Sequence, residues 1–302
     1  MRLFLAFFIM SIMACSSPEK QQAINPEPLN IKVYYLGGQS NMEGFGYIRD
    51  LPSNYKNNIN QAFIYQGNHV SDGDEMGGLG LWQTLTPGHG TGSHSDGNCI
   101  TFGNRFGPEL SFGVKIRQLT EGPIAIIKYA RGGTALMRGY GWGNWDTSTT
   151  LNNQYDHCLN AIKGAFAQKD VNGDGVKDNL IPAGIIWMQG EADAQHKESA
   201  EVYKENLTAL IKGLRVSLGN EELPVVIGKI ADSGRDETDG KMMDYIEIVH
   251  QAQEAFIAED CCAIYVTNTD NYSFLPDNWH YQSENYLNLG NAFAEAVYEL
   301  SN

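Results

Sequence analysis

The sequence is poor in basic residues. It contains 21 Lys and Arg against 36 Asp and Glu, which gives a formal net charge of −15 at pH 7. Nucleic acids and anionic membrane surfaces attract cationic proteins, so this deficit argues against both as partners. A neutral or weakly charged substrate is a better match for such a protein.

Cysteine is scarce as well, and its positions do not form the CxxC pattern of a zinc site. After Cys15, the chain contains Cys99, Cys158, Cys261 and Cys262. Four cysteines allow three disulfide pairings, and the adjacent Cys261 and Cys262 are poorly placed to bond to each other. The sequence therefore predicts structural roles for these four, as buried thiols or as one disulfide.

The apolar run nearest the N terminus, residues 3–13, is too short to span a bilayer comfortably. Arg2 precedes it, as in a secretory signal. Residues 12–15 (IMAC) then resemble a bacterial lipobox, which implies that residues 1–14 are a signal peptide and that lipid is attached to Cys15. We therefore expect an exported, membrane-anchored lipoprotein, either periplasmic or on the cell surface. An ordinary secretory signal with an incidental cysteine is the alternative.

The rest of the chain divides into a tether and one large domain. Residues 15–30 are polar, contain prolines and lack periodicity, as in a flexible tether. Residues 31–302 are enough for a sizeable core and show no internal repeat. Within them, strand-like and helix-like patterns alternate. Strands are predicted at 31–36, 62–65, 123–129, 181–188, 224–230 and 263–266, and helices at 108–119, 151–166, 200–214, 241–258 and 289–300.

This alternation is typical of βαβ units. It predicts an α/β fold, a three-layer α/β/α sandwich with a mostly parallel central sheet. One long interruption, residues 66–107, is rich in glycine and is predicted to be a loop region. Its histidines, His69, His89 and His94, match no compact metal motif, so they are interpreted as solvated loop residues.

A calcium-loop pattern occurs at residues 170–181. Asp170, Asn172 and Asp174 occupy positions one, three and five of such a loop, and Asp178 occupies position nine. Position twelve lacks the usual bidentate glutamate. The pattern predicts a structural Ca²⁺, and a plain Asn-Gly/Asp-Gly surface turn is the alternative.

Four polar turns are predicted to meet at one edge of the sheet. Three follow predicted strands: GGQSN at 37–41, ARGGT at 130–134 and QGEAD at 189–193. The fourth, DNWH at 277–280, precedes the last helix. Because parallel strands end at the same edge, these turns can share one site. They supply a hydroxyl, backbone amides, a side-chain amide, carboxylates and an imidazole, which are the groups of an acyl-transfer site.

The motifs resemble four blocks of the SGNH (GDSL-like) hydrolases, and most closely the branch of sialate O-acetylesterases and carbohydrate esterase family 6, which includes acetylxylan esterases. The blocks are GQSNMEG, KYARGGT, WMQGEAD and DNWH, in family order, and they span nearly the whole chain after the tether. The resemblance implies a flavodoxin-like fold. It also implies a serine carbohydrate O-acetylesterase that forms an acetyl-enzyme intermediate and needs no cofactor for catalysis.

The same resemblance implies a role for individual residues. Ser40 would be the nucleophile, His280 the general base and Asp277 the acid that orients the imidazole. The oxyanion hole would consist of the backbone amides of Ser40 and Gly133 and the side-chain amide of Gln189, in place of the asparagine of the wider superfamily.

Glu191 is a second candidate for the acid partner of His280. Asp277 is three residues from the histidine, so the two can meet with little loop-closure cost, whereas Glu191 follows a different predicted strand. We therefore expect Asp277 to orient His280 and Glu191 to support the site.

Loop tryptophans are the candidates for substrate binding. Trp142, Trp145 and Trp279 are predicted to stack on sugar rings, although loop aromatics also simply pack loops. Sialate-specific relatives are often longer and carry an additional β domain, so acetylated polysaccharide such as acetylxylan is expected ahead of acetylated sialic acid. Two other classes stay open: a catalytically silent carbohydrate-binding surface lipoprotein, and a lipase or thioesterase, which the polar, glycine-rich loops disfavour.

Overall fold

A computed structural model of the protein describes residues 26–302. Its strands are Asn30–Gly38 (β1), Gly46–Tyr47 (β2), Ala62–Gln66 (β3), Trp82–Thr84 (β4), His94–Ser95 (β5), Ile100–Thr101 (β6), Arg105–Phe106 (β7), Ile124–Ala130 (β8), Asn179–Met188 (β9), Val225–Gly228 (β10) and Ala263–Val266 (β11). Its α-helices are Ser40–Glu43 (α1), Glu109–Leu119 (α2), Gln154–Ala167 (α3), Lys197–Glu201 (α4), Tyr203–Leu218 (α5), Ile246–Glu259 (α6) and Ser283–Leu300 (α7).

Seven of these strands form the central sheet, in the order β11-β10-β9-β1-β8-β3-β4. All neighbouring pairs are parallel except β3 and β4, which are antiparallel. β1 lies in the middle, between β8 and β9, so the turn that follows it is at the centre of the carboxyl edge. The predicted mostly parallel sheet is confirmed.

Helices cover both faces of this sheet. Tyr34 and Tyr35 are successive residues of β1, and successive side chains of a strand point to opposite faces. The ring of Tyr34 packs edge-on against Phe112 of α2, with centroids 5.2 Å apart. Tyr35 faces Cys158 of α3. One helix layer therefore contains α2, which packs on α7, and the other contains α3, which packs on α5. This is the predicted three-layer sandwich.

Glycine is required where β1 ends. Gly38 has a φ of +146°, and a Cβ at this position would lie 1.9 Å from the carbonyl oxygen of Met188 on the neighbouring β9. Any other residue would push the two strands apart. The chain can therefore turn directly from the sheet into α1, which begins at Ser40.

The region 66–107 is more ordered than predicted. It contributes the antiparallel edge strand β4 and two-residue strands in small sheets outside the central one. His89 is buried, not solvated, and its Nδ1 lies 2.7 Å from Gln66 Oε1. Burial lowers the pKa of His89 to about 3, so the ring is neutral at physiological pH. Strands this short leave too little periodicity for a prediction from the sequence.

The predicted export signal and lipid anchor are at the N terminus. The predicted signal peptide at 1–14 and the lipid-acceptor Cys15 lie outside the described residues. Within residues 26–302, no helix combines the length and apolarity needed to cross a membrane.

The four cysteines in this part of the chain are free thiols, of which only Cys158 is fully buried.

Candidate active site

The site is a cavity of about 500 Å³ at the carboxyl edge of the sheet. Ser40, the first residue of α1, lies on its wall and is largely buried. All four predicted turns contribute to the wall: the first through Ser40, and the other three through Gly132 and Gly133, through Glu191, and through His280. The complete lining is Gln39, Ser40, Phe45, Gly132, Gly133, Gly141, Trp142, Glu191, Ala192, Gln195, His196, Trp279 and His280.

Asp277 and His280 form a hydrogen-bonded pair at this cavity. Asp277 Oδ2 lies 3.0 Å from His280 Nδ1, and Oδ1 accepts the amides of Trp279 at 2.9 Å and His280 at 3.0 Å. Burial alone would raise the pKa of Asp277, but these hydrogen bonds hold it below its ordinary value. The turn also places Asn278 at φ 65°, a conformation that asparagine tolerates well. An ionised Asp277 can thus orient the imidazole.

One face of the His280 imidazole is covered by an aromatic ring. Phe45 stacks on His280 with ring centroids 3.5 Å apart and planes within 3° of parallel. Ser40 and His280 line the same cavity, and no hydrogen bond joins their side chains within residues 26–302. Catalytic hydrogen bonds are often long in the absence of substrate. The arrangement presents a hydroxyl and a base to the same space.

Two backbone amides are free to bind an oxyanion. Within the described part of the chain, the amides of Ser40 and Gly133 donate no hydrogen bond. Gly133 has a φ of +68°, and the ring of Trp142 lies 2.7 Å from where its Cβ would be. A side chain at residue 133 would displace this ring, so glycine is required here.

Glu43 holds the loop that carries Gly133. Its Oε2 accepts the amide of Gly132 at 2.9 Å, and its Oε1 lies 3.5 Å from His69 Nε2. Burial would raise the pKa of Glu43, but the contact with His69 and further hydrogen bonds lower it below its ordinary value. This pairing of the GQSNMEG motif with a loop histidine was not predicted, because His69 has no sequence signature.

Gln189 does not occupy the place predicted for it. Its side chain is fully buried, and Nε2 donates to Thr134 O at 2.9 Å and to Asp193 Oδ2 at 2.7 Å. Both amide hydrogens are therefore used inside the fold, and Gln189 is not on the cavity wall. The prediction that Gln189 donates to the oxyanion disagrees with this geometry.

Glu191 is bonded to the nucleophile motif and not to His280. Its Oε1 accepts Asn41 Nδ2 at 2.8 Å, and the same nitrogen lies 3.2 Å from Trp279 O. Asn41 Oδ1 in turn accepts the hydroxyl of Tyr286 at 2.8 Å. Burial raises the pKa of Glu191. Glu191 and Asn41 thus tie the serine turn to the loop that carries the histidine, as expected for a supporting residue.

Comparison with known proteins identifies the family. Residues 30–299 match the family described as "Carbohydrate esterase, sialic acid-specific acetylesterase". The chain belongs to this family. The family predicted from the four motifs is confirmed.

One relative of this chain is the "Probable carbohydrate esterase At4g34215" of Arabidopsis thaliana. It is 28% identical over 193 residues, which are 63% of this chain and 62% of the relative. The chain therefore matches less than two thirds of the length of that protein. The solved structure of the Arabidopsis protein has a TM-score of 0.61 at 20% identity and covers 91% of this chain and 100% of its own.

Two further solved structures share the fold of this chain. One is XAC1771, described as a novel carbohydrate acetylesterase from Xanthomonas citri, with a TM-score of 0.61 at 19% identity over 89% of this chain and 56% of its own. The other is NanS, with a TM-score of 0.58 at 15% identity over 91% of this chain and 98% of its own. At such identities the similarity shows the fold alone.

The three tryptophans predicted to bind substrate differ in position. Trp142 is 81% exposed beside the cavity, and Trp279 also lines it. Trp145 is only 1% exposed and donates from Nε1 to Thr134 Oγ1 at 2.9 Å, so the prediction that it binds substrate is wrong. His196 is a lining residue that the sequence did not indicate, and it packs beside the ring of Tyr140.

The predicted calcium-loop residues accept hydrogen bonds from backbone amides. Asp170 accepts the amides at 173, 174 and 175. Asp178 points elsewhere and accepts the amides of Leu29 at 3.0 Å and Val171 at 3.0 Å. In the described part of the chain, no three His, Cys, Asp or Glu residues are grouped as metal ligands. Ca²⁺ binding by Asp170, Asn172, Asp174 and Asp178 stays a prediction from the sequence.

Proposed function

We propose that this carbohydrate esterase removes acetyl groups from a neutral polysaccharide through a serine nucleophile. The observation that carries the proposal is the hydrogen-bonded pair of Asp277 and His280 on the wall of the cavity that also contains Ser40. A hydroxyl, an oriented imidazole and free amides at one place are the requirements of acyl transfer.

The geometry suggests the following reaction. His280 Nε2 takes the proton of Ser40 as the hydroxyl oxygen attacks the acetyl carbon, and the electron pair of the C=O bond moves to the carbonyl oxygen. The amides of Ser40 and Gly133 stabilise this oxyanion. Collapse expels the sugar oxygen, which takes the proton from His280. Water then repeats the steps on the acetyl-enzyme and releases acetate.

The charge of the cavity wall favours an uncharged sugar. None of the lining residues, all within the described part of the chain, is Lys or Arg, and one is the carboxyl of Glu191. A sialic acid or uronic acid carboxylate would find no permanent cation on this wall. The exposed ring of Trp142 offers a face on which a sugar can stack. Acetylxylan, a neutral polysaccharide that carries acetyl esters, meets both requirements.

A sialate O-acetylesterase is the second candidate, because the matching family is described as specific for sialic acid. Acetate release from acetylxylan, acetylated pectin and an acetylated sialoglycan compares the two. We expect the neutral xylan to give the highest kcat/KM. Preference for the sialoglycan would reverse the choice of substrate.

Hydrolysis of esters with different acyl lengths distinguishes an acetylesterase from a lipase or thioesterase and from a catalytically silent protein. p-Nitrophenyl acetate should be hydrolysed faster than the butyrate and octanoate esters. Faster hydrolysis of the long esters would indicate a lipase or thioesterase. No hydrolysis of any ester by the folded protein would indicate a silent carbohydrate-binding protein.

We also propose that the protein is a lipoprotein anchored through Cys15 and acts in polysaccharide degradation outside the cytoplasm. The support is the lipobox-like IMAC segment alone. Stable anchoring needs more than one acyl chain. In the native host, Cys15→Ser should release the protein into the soluble fraction, and unchanged membrane retention would contradict the proposal.

A further inference from the structure

The ring of Phe45 lies face to face with the imidazole of His280. The two ring centroids are 3.5 Å apart, and the ring planes are within 3° of parallel. Nonbonded carbon atoms pack best at about 3.5 to 4.0 Å. A centroid distance as short as this one therefore leaves almost no sideways offset between the two rings.

A face-to-face stack without offset is a poor arrangement for two neutral aromatic rings. The faces of both rings carry partial negative charge, so neutral pairs favour an offset or an edge-on contact. The rest of the described chain follows this rule, since every other pair of aromatic rings in contact within residues 26–302 is edge-on or tilted. A cation, by contrast, is attracted to the face of an aromatic ring. The stack of Phe45 and His280 therefore suits a protonated imidazole.

Phe45 enters the cavity from an anchored segment. Arg105 donates from Nη1 to the carbonyl oxygen of Phe45, and the strand β2 that follows Phe45 pairs with β7. The guanidinium carbon of Arg105 lies 3.4 Å from the ring centroid of Tyr47 and 5.9 Å from that of Phe45. Arg105 thus mainly covers Tyr47, and the ring of Phe45 is held against the imidazole.

We propose that Phe45 is a positioning residue for the general base, which fixes the plane of the His280 imidazole and stabilises the imidazolium that forms during acyl transfer. The inference rests on the proposed function. As Ser40 Oγ bonds to the acetyl carbon, its proton moves to His280 Nε2, and the imidazole becomes a cation until the leaving sugar oxygen takes this proton. The face of Phe45 attracts the charged ring more than the neutral one, so it stabilises the transition state more than the bound ester.

Fluorinated phenylalanines at position 45 test this proposal with little change of shape. Each fluorine withdraws electron density from the face of the ring and so weakens its attraction for a cation. We expect kcat for p-nitrophenyl acetate to fall with each added fluorine, by about 2- to 30-fold at 3,4,5-trifluorophenylalanine, while KM changes less than about threefold. If the ring only fills space, kcat will be the same across the series.

Phe45→Leu and Phe45→Tyr extend the test to natural amino acids. Leucine keeps an apolar side chain without an aromatic face, so we expect a loss of kcat at least as large as in the trifluorinated protein. Tyrosine keeps the face and should retain kcat within about threefold of the parent. Circular dichroism shows whether each variant is folded, and the fluorinated series serves where Phe45→Leu does not fold. Equal kcat in the parent and across the fluorinated series would overturn the proposal.

The rate of labelling by a fluorophosphonate gives a second readout that needs no ester substrate. Ser40 Oγ bonds to phosphorus, its proton passes to His280, and the electron pair of the breaking P–F bond leaves with fluoride. Labelling should slow across the fluorinated series by about the same factor as kcat. A constant rate of labelling would refute the role of Phe45 alone. If labelling slows across the series but the parent hydrolyses no ester, the proposed function is wrong and the role of Phe45 stands. A parent that takes no label would refute both.

Discussion

Asp277 holds His280 through both of its carboxylate oxygens. Oδ2 lies 3.0 Å from the ring Nδ1, and Oδ1 lies 3.0 Å from the backbone nitrogen of the same histidine. The first contact places the proton on Nδ1 and leaves Nε2 as an acceptor, and the second fixes the backbone from which the ring extends. One residue therefore determines the tautomer and the position of the base.

Asp277→Asn is expected to lower kcat by about 10⁴, because an asparagine amide facing Nδ1 favours the tautomer in which Nε2 cannot accept the serine proton. Steady-state kinetics with p-nitrophenyl acetate measure this loss, and circular dichroism confirms that the variant is folded.

Glu191→Gln is the control for this assignment. Glu191 contacts Asn41 and not the histidine, so the variant should lose much less activity and chiefly change the melting temperature. If folded Glu191→Gln loses more turnover than folded Asp277→Asn, then Glu191 is the catalytic acid.

Trp142→Ala tests whether the exposed ring stacks on sugar. The ring is 81% exposed at the cavity, so its loss should leave the fold intact. Removal of an aromatic face should raise KM for acetylxylan about 2- to 12-fold, in line with the energy of a single aromatic contact. Turnover of p-nitrophenyl acetate should change little, and Trp142→Tyr should restore most of the affinity. Equal losses on both substrates would show that Trp142 shapes the acyl site instead.

The sequence predicts the parts of this site that are local. The strand before Ser40 and the separation of Asp277 and His280 by three residues are visible as short patterns, and a parallel sheet brings their ends together. The long-range partners are not visible. Asn41 and Glu191 are 150 positions apart, and Glu43 meets His69 in a region without periodicity.

Burial explains the predictions that failed. Trp145 lies in a loop and Gln189 in a motif near the site, but both side chains turn inward and bind Thr134. A motif places the backbone near the chemistry and does not say which way each side chain points. His89 was misjudged for the same reason, since a histidine in a glycine-rich segment gives no sign of its burial.

Asp193 makes stability depend on pH. It is fully buried, and burial raises its pKa from the ordinary 3.8 to about 7, against the opposing hydrogen bonds from Gln189 and residues 136 and 137. Between these two values the unfolded chain loses the proton and the folded chain keeps it. The free energy of unfolding of the parent should therefore fall as pH rises from about 4 to about 7, by at most about 1.4 kcal/mol per pH unit.

Urea denaturation of the parent and of Asp193→Asn over this pH range isolates the effect. The parent should lose stability relative to the variant by about 1 to 4 kcal/mol up to pH 7, and the difference should then become constant. A difference that is the same at every pH would show that Asp193 is ionised throughout.

The buried ion pair of Lys128 and Glu109 supports the turn that carries Ser40, because Lys128 also donates to the backbone of Glu43. Both side chains are at most 1% exposed, and Lys128 Nζ lies 2.7 Å from Glu109 Oε2 and 2.8 Å from Glu43 O. Lys128→Met should lower the free energy of unfolding by about 3 to 5 kcal/mol, because it leaves the buried carboxylate of Glu109 without its positively charged partner. Chemical denaturation measures the loss. Adding Glu109→Gln should recover part of it, and a single variant as stable as the parent would contradict the buried-pair interpretation.

The central claim is that Ser40 carries the acetyl group. The most direct test is mass spectrometry of the folded protein after reaction with a serine-reactive phosphonate, alongside acetate release by Ser40→Ala. One phosphonyl group should be found on Ser40, and Ser40→Ala should fold normally with nearly all activity lost. Labelling at another residue, or activity of Ser40→Ala within tenfold of the parent, would contradict the assignment of the nucleophile.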